Sequence, residues 1–548
     1  MALVAAIAWF APLDSRHLQH PDEGRYGEIA REMAASGDFV TPRLNDLKYF
    51  EKPPLQYWLG AITFGAFGVN EWTARLPTAL AGFLAVLVVG FAGARLSGPE
   101  AGAYAALVLL GCVWHVGMGH LLSLDGLLAF WMTVALCAFL LAQRDGLARP
   151  QVRNAMLACY AALAAATLTK GLVAPAVAGA TLVLYSALTR DLGPWKRLHP
   201  LAGTAVFMAI AAPWFLVVSA RNPEFARFFF VHEHFQRFLS ETHNRTGEWW
   251  YFVPWFVLGI MPWLLVWLVS LPRSVLASPR NANGFSWARF CLVWASFIIV
   301  FFSLSGSKLP SYILPMFPAL ALVIGFELTR MSTRALTLIA LPLAVGGTAF
   351  VLAYLVGWDR WSEGWASEST PLPIYRAFGP WVLGAIAAYS LGGILATAFF
   401  RRGTAATRTW GVAALSFSSL IGLSIAFVGN DAFAVVRSAA PLLAAATRAN
   451  GGPLDPAYPV YQIGSYDQTL PFYLQRPTPL VEYRDEMALG LDAEPAKGYD
   501  LTRWLAAWEA APQAYALFSH DTAADLAKHG VPMRVLVRDP RRVFVARR

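Results

Sequence analysis

Along most of this chain apolar residues come in long runs broken by short polar stretches. That is the pattern of membrane-crossing helices, each of which needs roughly 20 apolar residues to span about 30 Å of hydrocarbon. Such runs lie near 77–95, 101–119, 123–142, 154–168, 172–188, 200–219, 250–271, 290–304, 311–328, 335–357, 379–400 and 409–428. The opening run, Met1 to Leu13, is too short to cross alone, and without a basic n-region or a small-residue cleavage site it makes a poor signal peptide. It is read as a first span whose start lies partly outside this numbering, giving thirteen spans. After Gly429 the apolar runs shorten to Val460–Ile463, Ala514–Phe518, Val535–Val537 and Val543–Val545, interleaved with helical patterns over Leu501–Ala511 and Thr522–His529. This predicts a small α/β domain. The expected division is a membrane domain over 1–429, with outward loops 14–76 and 220–249, followed by an α/β tail over 430–548 that is read as a structural cap.

Composition agrees with the runs. Hydrophobic residues make up 57% of the 548 and charged ones only 14%, with a mean hydropathy of +0.48, outside the range of soluble domains. The four cysteines all fall within apolar runs and read as small hydrophobes, not as a disulfide framework or a zinc cluster. The net charge of +9 comes from scattered Lys and Arg with no aromatic-laced basic stripe, so nucleic acid is not expected as a partner. The cations follow topology instead. Loops carrying Arg95, Arg144/Arg149/Arg153, Arg190/Lys196/Arg197, Arg273/Arg280/Arg289, Arg330/Arg334 and Arg401/Arg402/Arg408 alternate with loops poorer in positive charge. By the positive-inside rule these six face the cytoplasm, and the loops 14–76 and 220–249 and the tail face outward.

Charge used so sparingly marks where polar chemistry occurs. His20 to Met33 packs Asp22, Glu23, Arg25, Glu28, Arg31 and Glu32 into one stretch of the first outward loop. Pro21-Asp22-Glu23 is a helix start, with Asp22 readable as a simple N-cap. Tyr26, Ile29, Ala30 and Met33 then share one face and Glu28, Arg31 and Glu32 another, which predicts an amphipathic helix along the membrane surface. Glu51-Lys52 before two prolines is a rigid extended turn holding an acid and a base, flanked by Tyr49, Phe50, Tyr57 and Trp58; a surface ion pair is its plain alternative. Asp125 is a lone carboxylate among leucines at an outer span end and needs a cationic or hydrogen-bonding partner. Lys170 and Lys308, also at outer ends, either join such a site or snorkel to the interface. His232 and His234, two residues apart, point to opposite sides of a helix; one of them could join Glu51 on a divalent ion. Nucleotide loops, dinucleotide fingerprints and nucleophile elbows are absent from the sequence, so the driving force would have to come from a pre-activated lipid substrate or from none at all.

Several of these segments carry a resemblance. His20-Pro-Asp-Glu-Gly-Arg-Tyr-Gly-Glu-Ile-Ala-Arg-Glu-Met33, Tyr49-Phe50-Glu51-Lys52-Pro53, Leu124-Asp125, Thr169-Lys170-Gly171, Glu233-His234-Phe235-Gln236-Arg237-Phe238 and Lys308-Leu309-Pro310-Ser311-Tyr312 resemble the bacterial aminoarabinose lipid A transferases. These are polyprenyl-phosphate-dependent glycosyltransferases related to protein O-mannosyltransferases. The resemblance runs from the first loop to about the tenth span.

It implies an all-α polytopic membrane domain of GT-C type, with interfacial helices in the first periplasmic loop, followed by a small α/β periplasmic domain. It further implies a multi-pass monomer of the bacterial inner membrane, its site facing the periplasm. That enzyme moves 4-amino-4-deoxy-L-arabinose from undecaprenyl phosphate to a lipid A phosphate, giving polymyxin resistance. In that reading Asp22, Asp125 and Lys52 carry the reaction; Arg25 and Lys170 face phosphates; Tyr26, Tyr49, Glu51, Arg237, Lys308 and Tyr312 line the substrate site. No cofactor is required, although Glu51 and His232 could hold zinc. A related transferase with a mannosyl or other hexosyl donor and a hydroxyl acceptor is the nearest alternative. A secondary transporter would instead place its polar groups near the midplane.

Overall fold

The computed structural model describes residues 1–230 and 247–547. Among them, nine helices are long and apolar enough to cross a membrane: Glu71–Ser97, Leu124–Ala142, Arg149–Lys170, Pro200–Arg221, Trp287–Leu304, Pro310–Arg330, Thr333–Trp365, Leu372–Arg401 and Ala405–Arg437. Pro99–Gly111 with Val113–Gly119 and Phe252–Ile260 with Leu264–Leu276 pass as bent pairs, at 65° and 102°, and Ala2–Asp14 and Val173–Thr189 are shorter apolar helices. The chain is a multi-pass membrane protein.

The runs read as straight spans near 101–119 and 250–271 are thus broken. The backbone turns extended at Cys112 and Met261, a feature hydropathy cannot register because the apolar composition continues through the break. The span expected near 77–95 begins earlier, at Glu71, because Asn70 caps it: its side chain accepts the Thr73 N–H at 2.9 Å. Small residues let the helices approach closely. A side chain added at Gly102 would meet the backbone of Gly90 and Ala94, and one at Gly325 the backbone of Ala105, the packing expected where lipid supplies no hydrophobic drive between helices.

After Gly429 the chain leaves the helical layer for a five-stranded mixed sheet. Numbering the first-loop hairpin Arg43–Leu44 and Leu47–Lys48 as β1 and β2, its strands are β3 (Val460–Ile463), β4 (Leu480–Val481), β5 (Tyr515–Ser519), β6 (Met533–Arg538) and β7 (Arg542–Arg547), in the order β4-β3-β5-β7-β6. Helices Leu501–Ala510 and His520–Lys528 appear close to where the sequence pattern puts them; β4, two residues long, carries too little pattern to be foreseen.

The first loop holds two helices, Asp22–Ser36 and Leu55–Phe67. Asp22–Ser36 has the expected apolar and polar faces, and both are covered. Ile29, Ala30 and Met33 join an apolar cluster with Tyr57, Phe64 and Leu122, and that cluster continues into Tyr466, Phe472, Leu480 and Leu491 of the C-terminal domain. Glu28, Arg31 and Glu32 are buried as well. Glu28 pairs with Arg31 at 2.6 Å, Arg31 donates to the Gln475 carbonyl at 3.2 Å, and Glu32 accepts the Asp46 N–H at 3.0 Å. At Gly24 the domain comes close enough to need a glycine: a Cβ there would lie 2.7 Å from the backbone of Gln468 and Thr469. The polar face that a sequence reads as wet is the seat of the C-terminal domain.

Candidate functional site

Helix Asp22–Ser36 starts with two carboxylates, and its turn sends them to different places. Glu23 points inward. Arg16 reaches it at 2.6 and 2.8 Å and Arg75 at 2.9 and 3.1 Å, while the Gln19 and Leu122 N–H groups donate to it at 3.1 and 3.2 Å. The surplus positive charge is spread onto carbonyls: Arg75 also donates to Leu13, Arg16 and His17, and Arg16 to His120. Burial favours the neutral acid, but the two guanidinium groups outweigh it and hold the Glu23 carboxyl far below the usual range. This knot joins the end of the first helix, the loop helix, the span Glu71–Ser97 and the approach to Asp125.

Asp22 faces the other way and stays open, its side chain 53% exposed. Its partner is Arg25, one turn on, at 3.2 Å. Arg25 is held from the far side by Glu486 of the C-terminal domain at 2.7 Å, and Gln468 donates to the same carboxylate at 2.5 Å. Burial raises the Glu486 carboxyl above its ordinary value, against the pull of Arg25. Beside them Tyr26 and Tyr57 lie with ring centroids 6.2 Å apart. Burial, and after it the Asp22 carboxylate, hold the Tyr26 phenol well above its ordinary value, so it enters the site as a neutral hydroxyl. Tyr49 is buried next to Arg25 and Glu51. Lys52 donates to the Glu51 carbonyl at 2.8 Å, a contact that folds the Glu51-Lys52-Pro53-Pro54 turn back on itself.

A second group sits at the outer span ends. Asp125, on the first turn of Leu124–Ala142, ion-pairs with Lys170 and accepts the Ser311 hydroxyl at 2.8 Å. The Lys170 ammonium lies 4.6 Å over the ring of Tyr312, a favourable position for a cation at an aromatic face. Lys308 donates to the Gly247 carbonyl at 2.7 Å. The two groups form one neighbourhood, since both Asp22 and Asp125 act electrostatically on the Tyr26 phenol.

The structure therefore brings together Asp22, Arg25, Tyr26, Tyr49 and Glu51, with Lys52 on the same turn as Glu51, and places Asp125, Lys170 and Tyr312 within electrostatic reach. Lys308 lies in the turn before Pro310–Met316, two residues from Pro310. Arg237 and His232 lie outside the described residues. Among the described residues no group of three His, Cys, Asp or Glu is placed to hold a metal ion, so Glu51 would need its other ligands from 231–246. Sequence reasoning missed Glu486, Ser311 and the Arg16–Glu23–Arg75 knot. Ser311 stands inside a quoted motif and could have been found there; Glu486 sits in an ordinary charged stretch, Tyr483-Arg484-Asp485-Glu486, with nothing local to single it out.

Residues 2–229 match the family model of dolichyl-phosphate-mannose-protein mannosyltransferase, and residues 447–547 that of the aminoarabinose transferase C-terminal domain. The chain is similar to ArnT from Cupriavidus metallidurans, at 38% identity over 99% of this chain and 96% of that one. The TM-score is 0.89 for the apo crystal structure and 0.91 for the one bound to undecaprenyl phosphate. It is also similar to the undecaprenyl phosphate-alpha-4-amino-4-deoxy-L-arabinose arabinosyl transferases of Edwardsiella ictaluri, 33% identical over 65% of this chain, and Erwinia tasmaniensis, 32% identical over 66%. Each match spans 65% of the length of these curated relatives.

Proposed function

The chain belongs to the ArnT family, and on that premise we propose that it moves 4-amino-4-deoxy-L-arabinose from undecaprenyl phosphate to a lipid A phosphate. The observation that carries this reading is the pairing of Asp22–Arg25–Glu486 with Asp125–Lys170–Tyr312 around the Tyr26 phenol, in a chain similar over nearly its whole length to a protein crystallised with undecaprenyl phosphate. The reaction belongs at the periplasmic face of a bacterial inner membrane, where masking lipid A charge gives resistance to polymyxin and other cationic peptides. Nine long helices, two bent pairs and two short apolar helices among the described residues support a count of thirteen spans. The proposed orientation, from the positive-inside pattern of the loops, puts the α/β domain on the periplasmic side, and the proposed acting form is a monomer.

The acceptor decides the mechanism. A lipid A phosphate is substantially ionised near neutral pH and is itself the nucleophile, so no general base has to remove a proton. Its oxygen attacks the anomeric carbon, the bond from that carbon to the carrier phosphate breaks, and undecaprenyl phosphate leaves with the electron pair. Direct displacement inverts the anomeric centre. The protein positions two phosphates and offsets their charge: Arg25 and Lys52 serve this purpose, and the neutral Tyr26 hydroxyl can donate. Lys170, already paired with Asp125, holds that carboxylate in place. Asp22, the open acid, is free to orient Arg25, bind the sugar ammonium or stabilise positive charge developing at the anomeric carbon. A divalent ion such as zinc between Glu51 and His232 is a separate proposal, tested by metal analysis of wild-type and Glu51→Gln protein.

The test is transfer by purified protein given undecaprenyl-phospho-aminoarabinose and lipid A, read as the mass gained by lipid A. No transfer with both lipids present overturns the assignment, and retention of configuration overturns the displacement. Transfer to a hydroxyl acceptor from another polyprenyl-linked sugar would establish the related reading that the mannosyltransferase match over 2–229 supports.

A further inference from the structure

Two adjoining cavities lie at the far end of the spans from Asp125. The loop around Arg280 is tied to that end, because Asn281 and Asn283 each donate to the Gln143 carbonyl at 2.9 Å. Asp125 is at the opposite end of the 19-residue helix that finishes at Ala142, about 26 Å away. The first cavity, of about 220 Å³, is polar and is lined by Arg190, Arg280 and Arg289 against one carboxylate, Asp191. Asp191 is partly committed already, accepting the Gly193 N–H at 2.8 Å. Among the described residues, neither Arg190 nor Arg280 donates to a protein acceptor or pairs with a carboxylate. The second cavity, of about 270 Å³, is apolar and is lined by Leu136, Phe139, Tyr160, Gly179, Leu182 and Trp294 among others. Arg289 lines the first and its neighbour Phe290 the second, with the Tyr185 ring, a wall of the polar cavity, 5.4 Å from Phe290. Trp195 stands at the apolar cavity with its indole N–H on Ser186 at 2.8 Å, the amphipathic placement expected at a membrane interface.

We propose that these cavities together bind one anionic phospholipid, its phosphate among Arg190, Arg280 and Arg289 and an acyl chain in the apolar slot. An excess of guanidinium groups at a membrane surface selects anionic over zwitterionic headgroups. Fork geometry favours phosphate oxygens over a diffuse counter-ion cloud. The adjoining apolar space distinguishes a lipid from a soluble phosphate, which would gain nothing from it.

The experiment uses the full chain in detergent and native mass spectrometry with added phosphatidylglycerol, phosphatidylcholine or inorganic phosphate. Phosphatidylglycerol should be retained at concentrations at least about tenfold below those needed for phosphatidylcholine, and inorganic phosphate should not displace it. Arg280→Gln with Arg289→Gln should weaken retention about tenfold. Gly179→Leu should weaken it comparably with every charge intact; a Cβ added at Gly179 meets nothing within 4 Å, and an unfolding midpoint equal to wild type shows that the variant is folded. Equal retention of the two phospholipids overturns the proposal, as does displacement by phosphate. Loss in the arginine variant with Gly179→Leu unaffected assigns the charge cluster to a soluble anion and also overturns it.

Discussion

Asp22 and Glu23 are adjacent, open the same helix and carry the same charge. Glu23 is 5% exposed and locked by two arginines and two backbone donors; Asp22 is 53% exposed and shares a single arginine with a carboxylate from another domain. An α-helix rotates each residue by about 100° from the one before, enough to send Glu23 into the membrane domain and leave Asp22 at its mouth. A cluster of charges in a greasy chain therefore need not be one site. Of its six members, Glu23, Glu28, Arg31 and Glu32 are buried in structural pairings, and Asp22 and Arg25 form the open side.

Removing the inward acid should have the largest effect. Glu23→Gln leaves Arg16 and Arg75 facing each other without a counter-charge, and should cost about 3–5 kcal/mol, read as loss of folded protein or a collapsed unfolding midpoint in detergent. Because the Glu23 carboxyl is held below its ordinary value, its contribution is present above the unfolded value of about 4.5 and is lost only as pH falls through the lowered one. The penalty should then be the same at about pH 6 and about pH 8; a strong dependence between them would break the assignment.

Asp125→Asn comes next, since it leaves Lys170 without its ion pair at the outer span end. Transfer should drop about 10²–10³-fold with a smaller loss of stability. Asp22→Asn sharpens the comparison most directly: transfer should fall by about 10²-fold while stability stays within about 0.5 kcal/mol. If Asp22→Asn unfolds the protein and Glu23→Gln does not, the two roles are reversed.

Glu486→Gln tests whether the C-terminal domain works through Arg25. A drop of about tenfold is expected in the wild-type background and none in Arg25→Ala, because contacting residues are not additive; independent effects would separate the domain from the site. The smallest effect concerns His17, hydrogen-bonded to Asp431 at 2.8 Å and raised above its ordinary value chiefly by that bond. Its stabilisation is fully present below about pH 6.5 and is lost as pH rises through the raised value. The midpoint difference between wild type and His17→Gln should shrink from about pH 6 to about pH 9, modestly, since the pair is partly exposed.

Hydrophobic run length and turn chemistry were enough to read the helical layer, most of its span positions and the character of the tail. Hydrocarbon imposes a length that any spanning segment must show, and β3, β5, β6 and β7 are short apolar runs with local turn signals. The need of Asp125 for a partner was also legible, because an isolated charge among apolar neighbours must be paired, and Lys170 and Ser311 meet it. What remained hidden depends on pairings across hundreds of residues. Glu486 against Arg25, Arg16 and Arg75 around Glu23, Ser311 on Asp125 and the C-terminal domain over Glu28, Arg31 and Glu32 have no local signature. A charged helix face reads the same whether water or another domain covers it. The sequence by itself determined where charge was scarce enough to matter; only the tertiary structure decided which of those charges were neutralised in the interior and which stayed exposed, because neutralisation requires a partner brought close in space.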